Sequence, residues 1–210
     1  MNPERNDDSV SGPAGTEPTP PAAAGSGSPW RVTSVRPVLK SPWLRVELAD
    51  VTKPSGQFEE HYQVWLPPAA VIVVLDNPGE HVLLTWRHRH VPGVWGYEIP
   101  GGLIEDDETP AETAHRELLE ETGYRARELR HLVTYEPAVG MVRNPHHVFL
   151  ARGVDLVAAP TEQDEGVFSW IPLAQVPALI VDGKIANSGS LIGLLHILAD
   201  RRRLMEGESR

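Results

Sequence analysis

The sequence predicts one α/β domain in which a mixed sheet lies between helices, preceded by an antiparallel sheet at the N-terminus. Three observations support this. The chain has 210 residues and is 40% hydrophobic, enough to bury the core of one domain of ordinary size. Short segments rich in β-branched and aromatic residues run through most of it. Strand-like and helix-like segments alternate without a repeated βαβ rhythm, which favours a mixed sheet over a doubly wound parallel one.

The first segment, residues 1–29, consists largely of Pro, Gly, Ser, Ala, Thr and acids. Such a composition buries too little apolar surface to offset its ordering entropy, so we expect a disordered tail there. Residues 204–210 are expected to form a short C-terminal tail. No stretch has the ~18 apolar residues of a membrane span or the core of a signal peptide. We therefore expect a cytosolic protein without a membrane partner.

Residues 30–66 carry three strand-like segments, WRVTSVRPVL, WLRVELADV and EEHYQVWL, with the turn signal KPSG between the last two. They predict an antiparallel sheet that belongs to the same domain. Residues 67–203 carry the rest of it. AAVIVVLD is a continuous apolar run, typical of a strand covered on both faces. The other predicted strands are HVLLTWRHR, GYEIPGG, LRHLVTYEP, HHVFLARGV and GVFSWIPL, and SLIGLLHILADRRRLM predicts a closing helix.

A further helix is predicted over residues 110–122. Thr109 is a good N-cap and Glu112 completes a capping box with it, while Pro110 suits the first helical position. Gly123 predicts a left-handed C-cap. The side chains expected to pack on the sheet are Ala111, Ala114 and Leu118.

This helix places three carboxylates on one face, because Glu117, Glu120 and Glu121 follow the spacing i, i+3, i+4. Like charges at this spacing repel, and acids at a helix C-terminus oppose the macrodipole. Arg116 can pair with Glu120, which leaves Glu117 and Glu121 facing each other. Oxygen ligands in this number suit a hard divalent cation, Mg²⁺ or Mn²⁺. The acids at 105–107 are expected to be solvated.

Charge and cysteine content exclude several classes of function. The formal net charge is -10, which argues against a general nucleic-acid binder, since such a protein needs a basic face. The chain has no cysteine, which excludes a disulfide framework, a thiolate zinc site and a cysteine nucleophile.

The acidic helix lies within a longer motif of fixed spacing. The motif consists of a glycine, five residues of any type, a glutamate, seven residues of any type and then R-E-U-x-E-E-x-G-U, where U is a bulky apolar residue. In this chain it is filled by Gly102, Glu108 and residues 116–124. Only Tyr124 is an unusual member of the bulky apolar class. This is the Nudix box, so the chain resembles Nudix hydrolases, which cleave a nucleoside diphosphate linked to another group. The resemblance covers residues 30–200 and implies an α/β/α sandwich with a mixed sheet.

The resemblance implies roles for the residues of the box. Glu117, Glu120 and Glu121 resemble the metal ligands, with the carbonyl of Gly101 as a backbone ligand. The implied cofactor is Mg²⁺, for which Mn²⁺ is a possible substitute. Arg116 resembles the residue that orients the glutamates. The candidate catalytic residues are Glu120, Arg116 and an acid of the loop PTEQDEGVFSW, for which Glu162, Asp164 and Glu165 stay open as alternatives.

Segments outside the box resemble ADP-ribose and nucleoside-diphosphate-sugar pyrophosphatases. EIPGG resembles a segment whose leading acid, here Glu98, shapes the metal and substrate site. WRHRH places Arg89 where those enzymes contact phosphate and places Arg87 where they carry glutamine. Pro137 and Gly140 resemble a segment that marks ADP-ribose-like substrates. The acid often found just before the final histidine is missing, with Asn144 nearby instead, and His146 and His147 are either ligand contacts or ordinary surface residues.

The favoured reaction is hydrolysis of ADP-ribose to AMP and ribose 5-phosphate by a homodimer, both implied by the resemblance. Alternatives are another pyrophosphatase substrate, namely a nucleotide sugar, coenzyme A (suggested by LLTWR) or a damaged nucleotide, and a sensor that binds ADP-ribose without cleaving it. The retained box glutamates disfavour the sensor. Trp43 and Tyr62 could stack on adenine, or pack in the core or at a dimer interface.

Overall fold

The computed structural model describes residues 29–161 and 166–205. Its elements, in chain order, are β1 (Arg31–Lys40), β2 (Arg45–Thr52), β3 (Phe58–Trp65), β4 (Ala69–Val74), β5 (His81–Arg89), β6 (Val94–Glu98), β7 (Gly101–Leu103), α1 (Pro110–Thr122), β8 (Tyr124–Tyr135), β9 (Val142–Arg143), β10 (His146–Leu156), β11 (Val167–Pro172), α2 (Val176–Val181) and α3 (Ser188–Met205). Every strand predicted from the sequence is present, and so are both predicted helices. In the described part of the chain, the strands form three sheets.

The N-terminal sheet has the order β1-β2-β3-β9. The first three strands are antiparallel, as predicted. The short strand β9 adds a parallel edge that the sequence did not predict, with Val64 opposite Val142. The amide of Val64 donates to the carbonyl of Met141 over 2.9 Å. Two residues are too few to show a strand periodicity, so only tertiary pairing defines β9.

The central sheet has the order β7-β4-β10-β8 and is mixed, because β4 and β10 run parallel while its other pairs are antiparallel. The third sheet has the order β11-β5-β6 and is antiparallel. A bridge between Leu75 and Val82 connects the two sheets. The predicted mixed sheet is confirmed, but its strands are divided between two hydrogen-bonded units.

Helices cover both faces of the central strands, so the α/β/α sandwich is confirmed. On one face, Ala114 and Leu118 of α1 pack with Ile72 of β4. On the other face, Leu194 of α3 packs with Val73, the next residue of β4. Burying each leucine stabilises the fold by about 2–3 kcal/mol before entropy is counted. The two apolar faces of β4 explain its continuous apolar sequence.

Two details differ from the predictions. Ala111 is exposed, so the packed face of α1 begins one turn later, at Thr113 and Ala114. Helix α2 was not predicted, because VPALIV is a run of six apolar residues, half of them β-branched, that is too short to show a helical period. Among the described residues, no helix combines the length and the apolar character needed to cross a membrane.

Candidate functional site

Local sequence signals fix the two ends of α1. The hydroxyl of Thr109 accepts from the amide of Glu112 at 3.3 Å, and the Glu112 carboxylate accepts from the Thr109 amide at 2.8 Å. Gly123 ends the helix with φ 72° and donates its amide to Leu119. A Cβ at Gly123 would lie 2.2 Å from the carbonyl oxygen of Ala158, so the cap also needs glycine for space. These caps set the position of each glutamate along the helix.

Arg116 connects three of the carboxylates. Its Nε and Nη2 donate to the two oxygens of Glu108 at 2.7 and 2.9 Å. Its Nη1 donates to Glu117 at 2.7 Å and to Glu120 at 3.0 Å. The predicted pair with Glu120 is therefore present, but the same guanidinium also compensates Glu117, which the prediction had left facing Glu121.

Glu108 is held in its ionised form. Arg116, and after it the hydroxyl of Thr113 at 2.7 Å, lower the pKa of Glu108 from its ordinary 4.5 to about 2. The same pairing raises the pKa of Arg116 further above its ordinary value. Arg116 and Glu108 thus form a permanently charged pair that fixes the guanidinium beside the helix.

Glu121 is buried, with 3% of its surface exposed. One of its oxygens accepts from the amide of Gly101 at 2.8 Å. The other accepts from Nη2 of Arg87 at 3.3 Å, and Arg87 is itself only 5% exposed. This pair joins β5 to α1 across 34 residues of sequence. Helical spacing could not reveal it, because the partner comes from another element.

The turn at Gly101 and Gly102 brings backbone against the acidic helix face. Gly101 has a φ of 150°, and a Cβ at this position would lie 2.3 Å from the carbonyl oxygen of Ala70. A Cβ at Gly102 would lie 2.2 Å from a carboxylate oxygen of Glu117. Without a side chain at Gly102, the Glu117 carboxylate can lie directly on the peptide chain.

The donors collected here suit a hard divalent cation. Glu117, Glu120 and Glu121 offer carboxylate oxygens, and Gly101 lies next to them. Because Gly102 has no side chain, the Glu117 carboxylate can lie against the backbone there. In residues 29–161 and 166–205, no three acidic or histidine side chains are close enough to enclose an ion as they stand. The predicted metal ligands therefore stay a prediction.

The predicted substrate-binding arginines have separate partners. Arg87 is buried against α1, whereas Arg89 forms a two-pronged ion pair with Glu98 of β6, with nitrogen–oxygen distances from 2.6 to 3.1 Å. Glu98 is 7% exposed. Arg89 and Glu98 line a cavity of about 370 Å³ that extends to Asn187, next to the start of α3. Tyr97 and residues 91–92 add apolar walls to it.

The segment downstream of α1 forms a polar network. Asn144 is buried; its Oδ1 accepts a hydrogen bond from Nε2–H of His146 at 2.7 Å, and its backbone N–H donates to Glu136. The Tyr135 hydroxyl lies 3.0 Å from the other ring nitrogen of His146. Burial lowers the pKa of His146, so its neutral form is favoured. His147, on the next position of β10, hydrogen-bonds to Thr134 instead.

The loop containing Pro137 and Gly140 contacts the N-terminal sheet, where the Gly140 carbonyl oxygen lies 2.9 Å from Nε2 of His61. Tyr62 is 53% and Trp43 is 71% exposed, so neither packs into the core of this chain. Trp43 lines an open cavity of about 550 Å³ whose wall also includes Arg116 and Glu117. The acids at 105–107 are exposed, as predicted.

The three loop acids proposed as a base, Glu162, Asp164 and Glu165, lie outside the described residues. The described ends of their loop lie close to the acidic site. The amide of Thr161 donates to the carbonyl of Glu120 at 2.9 Å. On the other side, a Cβ at Gly166 would lie 3.0 Å from the Cβ of Arg87.

A comparison with protein families settles the membership of the chain. The model of the NUDIX domain matches residues 65–188, which is more than half of the sequence and includes all of α1 and its acidic face. The chain belongs to the Nudix family. The family expected from the motif is therefore confirmed, and with it the class of hydrolase.

Several relatives of this Nudix chain have names that state an activity. A hydrolase of CMP-5'-(N-acetyl-N-hydroxy-3-aminopropyl)phosphonate from Streptomyces rubellomurinus is 48% identical over 80% of this chain and 82% of its own length. An ADP-ribose pyrophosphatase from Mycobacterium tuberculosis is 33% identical over 62% of this chain and 65% of its own. A crystal structure of an ADP compounds hydrolase covers 89% of this chain and all of its own, with a TM-score of 0.72 and 20% identity, and it supports the fold.

The Nudix sequence motif located most of the candidate site but not its internal ion pairs. It identified the glutamates of α1, Arg116 and the glycine turn. The pairs Arg87–Glu121 and Arg89–Glu98 were missed. The signal that could have indicated the first was Arg87 itself, which directly follows a run that is apolar except for Thr85, since a buried cation needs an anionic partner.

Proposed function

We propose that this Nudix protein uses a divalent cation, Mg²⁺ with Mn²⁺ as a substitute, to hydrolyse the phosphoanhydride bond between a nucleoside 5'-phosphate and a second phosphorus group. The observation that carries the proposal is the cluster of four glutamates on and before α1, which two arginines and the Gly101–Gly102 turn hold together. ADP-ribose is the first candidate substrate, with AMP and ribose 5-phosphate as products.

The proposed reaction is a displacement at phosphorus. The oxygen of a water molecule forms a bond to one phosphorus, the bond from that phosphorus to the bridging oxygen breaks, and the bridging oxygen leaves with the other phosphate. The proton of the water passes to a base. When bound, the divalent cation screens the phosphate charges and makes water a better nucleophile. The protein's own contribution is to hold its carboxylates in place before the substrate arrives.

Each side chain has a proposed task that follows from its contacts. Glu117, Glu120 and Glu121, with the carbonyl of Gly101, would hold the cation. Arg116 would orient two of these glutamates, because it is itself anchored by both oxygens of Glu108.

Other side chains also have proposed tasks. Arg89 and Glu98 would position the substrate in the cavity of about 370 Å³ that they line. Arg87 is the second proposed phosphate contact, and it would reach a phosphate only after separating from Glu121. One acid among Glu162, Asp164 and Glu165 would accept the proton of the water. The contacts of Thr161 and Gly166 with the elements of the site support this choice of loop.

A second candidate substrate is cytidine 5'-phosphate joined to a phosphonate. It is favoured by the relative that is 48% identical, which is named for hydrolysis of a CMP-linked phosphonate. The chemistry of the site accommodates both candidates, because each contains an anhydride next to a nucleoside phosphate. The cavity beside Arg89 would then hold the group that is not the nucleotide.

The deciding experiment is a hydrolysis assay of a substrate panel with Mg²⁺ or Mn²⁺ and in EDTA. The panel contains ADP-ribose, CMP-linked phosphonates, nucleotide sugars, coenzyme A and oxidised nucleotides, and Glu121→Gln is assayed beside the wild type. We expect release of a nucleoside monophosphate that requires the cation and falls by at least about 100-fold in the variant. Tight ADP-ribose binding without turnover of any panel member would contradict the proposal and favour a sensor.

The assembly and the extent of the domain are also proposed. β1 leaves Val32, Val35, Val38 and Leu39 about half exposed, which supports a homodimer formed through the N-terminal sheet. Residues 30–66 would form this dimerisation element and residues 67–203 the hydrolase domain. The cytosolic location stays a prediction.

A further inference from the structure

Arg87 is unusually buried for an arginine expected to bind substrate, because its side chain is 5% exposed and pairs with Glu121 of α1. We infer that Arg87 is an internal counter-ion for Glu121, which it holds in the metal-free protein and releases when a divalent cation binds. It is thus a positioning residue that competes with the metal for one carboxylate oxygen. The inference rests on the proposed metal site and adds to it a determinant of metal affinity.

Burial gives this ion pair its importance. Arg87 is 5% exposed and Glu121 is 3% exposed, so water cannot compensate either charge. Both oxygens of Glu121 are occupied, one by the amide of Gly101 and the other by Arg87. A cation that binds Glu121 must therefore share an oxygen with one of these donors or displace it. The Gly101 amide is fixed by the backbone, so the longer contact, 3.3 Å to the Arg87 side chain, is the one that yields.

The net charge of these side chains suits a divalent cation. Glu108, Glu117, Glu120 and Glu121 bring four negative charges. Arg87 and Arg116 bring two positive charges, so the formal charge of the group is minus two. A divalent ion neutralises this sum without expelling either arginine from the protein.

Arg116 has an anchor outside the proposed metal ligands. Arg116 retains Glu108, which binds it with both oxygens and is not one of the proposed metal ligands. Arg116 also contacts the proposed ligands Glu117 and Glu120, and Arg87 contacts the proposed ligand Glu121. Since stabilising the metal-free state weakens binding of the metal by the same free energy, Arg87 lowers the affinity for the cation.

The test is calorimetric titration of Mg²⁺ into the substrate-free protein, with unfolding temperatures in EDTA as a second readout. The variants are Arg87→Gln and Arg87→Lys, with Arg89→Gln as a matched control. The control removes the same charge two residues further along β5, from an arginine whose partner is Glu98. We expect Arg87→Gln to bind Mg²⁺ about tenfold more tightly and to unfold at a lower temperature in EDTA. Arg87→Lys should resemble the wild type, and Arg89→Gln should keep its Mg²⁺ affinity within about twofold.

Two results would overturn the inference while leaving the metal site intact. One is an unchanged or weaker Mg²⁺ affinity in Arg87→Gln, and the other is an equal gain in Arg87→Gln and Arg89→Gln, which would indicate a general effect of charge. A wild type that binds no Mg²⁺ or Mn²⁺ would instead overturn the metal site and this inference together.

If Arg87→Gln does not fold, a crystal structure of the wild type with Mn²⁺ decides. Separation of Arg87 from Glu121 beyond hydrogen-bond distance supports the inference. An intact contact with the ion on the same oxygen contradicts it.

Discussion

Arg116 illustrates how much a single guanidinium can organise. It meets both oxygens of Glu108 and also reaches Glu117 and Glu120 with a separate nitrogen. A lysine ammonium has no planar fork and could not satisfy these directions together. The position therefore depends on the shape of arginine as well as on its charge.

Replacing Arg116 by alanine should lower stability, because Glu108 and the largely buried Glu117 would lose their cation. We expect the free energy of unfolding to fall by about 2 kcal/mol in EDTA, less than for a fully buried pair because Arg116 is partly exposed. Urea unfolding measures this. The matched control is Arg127→Ala, which breaks a two-pronged pair with Asp155 that is mostly exposed and should cost at most about 0.5 kcal/mol. Equal losses in the two variants would contradict the role of Arg116.

The charge of Glu108 gives the stability a specific dependence on pH. Its pKa in the folded protein, about 2, lies below the ordinary 4.5. The ionised form therefore stabilises the fold, and this contribution is complete above pH 4.5 and is lost as the pH falls toward 2. Glu108→Gln should be less stable than the wild type at pH 5, and the difference should narrow as the pH falls. Urea midpoints at pH 5, 4 and 3 in EDTA test this; a constant difference would contradict it.

At the scale of elements, α1 could be predicted to the residue while α2 could not be predicted at all. Local sequence determines both ends of α1, through Thr109 and Glu112 at its N-terminus and Gly123 at its C-terminus. Helix α2 has neither a side-chain cap nor a charged turn, and its six residues become helical through packing of Val176 in the core. Local signals are sufficient only where the helix ends form their own hydrogen bonds.

The C-cap of α1 should be far less tolerant than a glycine of a hairpin. Gly123 and Gly56 both have positive φ, but a Cβ would collide with Ala158 only at Gly123 and would meet nothing within 4 Å at Gly56. We expect Gly56→Ala to cost about 1 kcal/mol of unfolding free energy and Gly123→Ala about 2 kcal/mol more. Urea unfolding of the two variants compares these costs. A similar loss in both variants would mean that the positive φ alone determines the cost of the substitution.

At the scale of the molecule, the sequence predicted the layers correctly but not the connections between them. The apolar run of β4 indicated a strand covered on both faces, and helices cover both of them. The division of the strands between two sheets, the edge strand β9 and the ion pair between Arg87 and Glu121 were not predicted. Each of these depends on which distant segments meet, and periodicity carries no information about that.

The exposed apolar residues of β1 predict a dimer in solution. We expect the full chain to have the mass of a dimer by light scattering, and Val35→Asp to shift it toward the monomer because a charge would be buried in the interface. Val181→Asp is the control, since Val181 is 86% exposed on α2, away from the N-terminal sheet. A monomeric wild type, or equal effects of both substitutions, would contradict the proposed interface.

Strand β9 has a consequence for how the molecule opens. It hydrogen-bonds to β3, and the turn before it reaches His61, so the N-terminal sheet and the loop at 136–143 share one set of hydrogen bonds. The amides of Val64 and Leu66, which bond to that segment, should exchange with deuterium only when both parts separate. A chain shortened to begin at residue 67 would expose this edge, and the amides of the loop at 136–143 would exchange as freely as those of an open terminus.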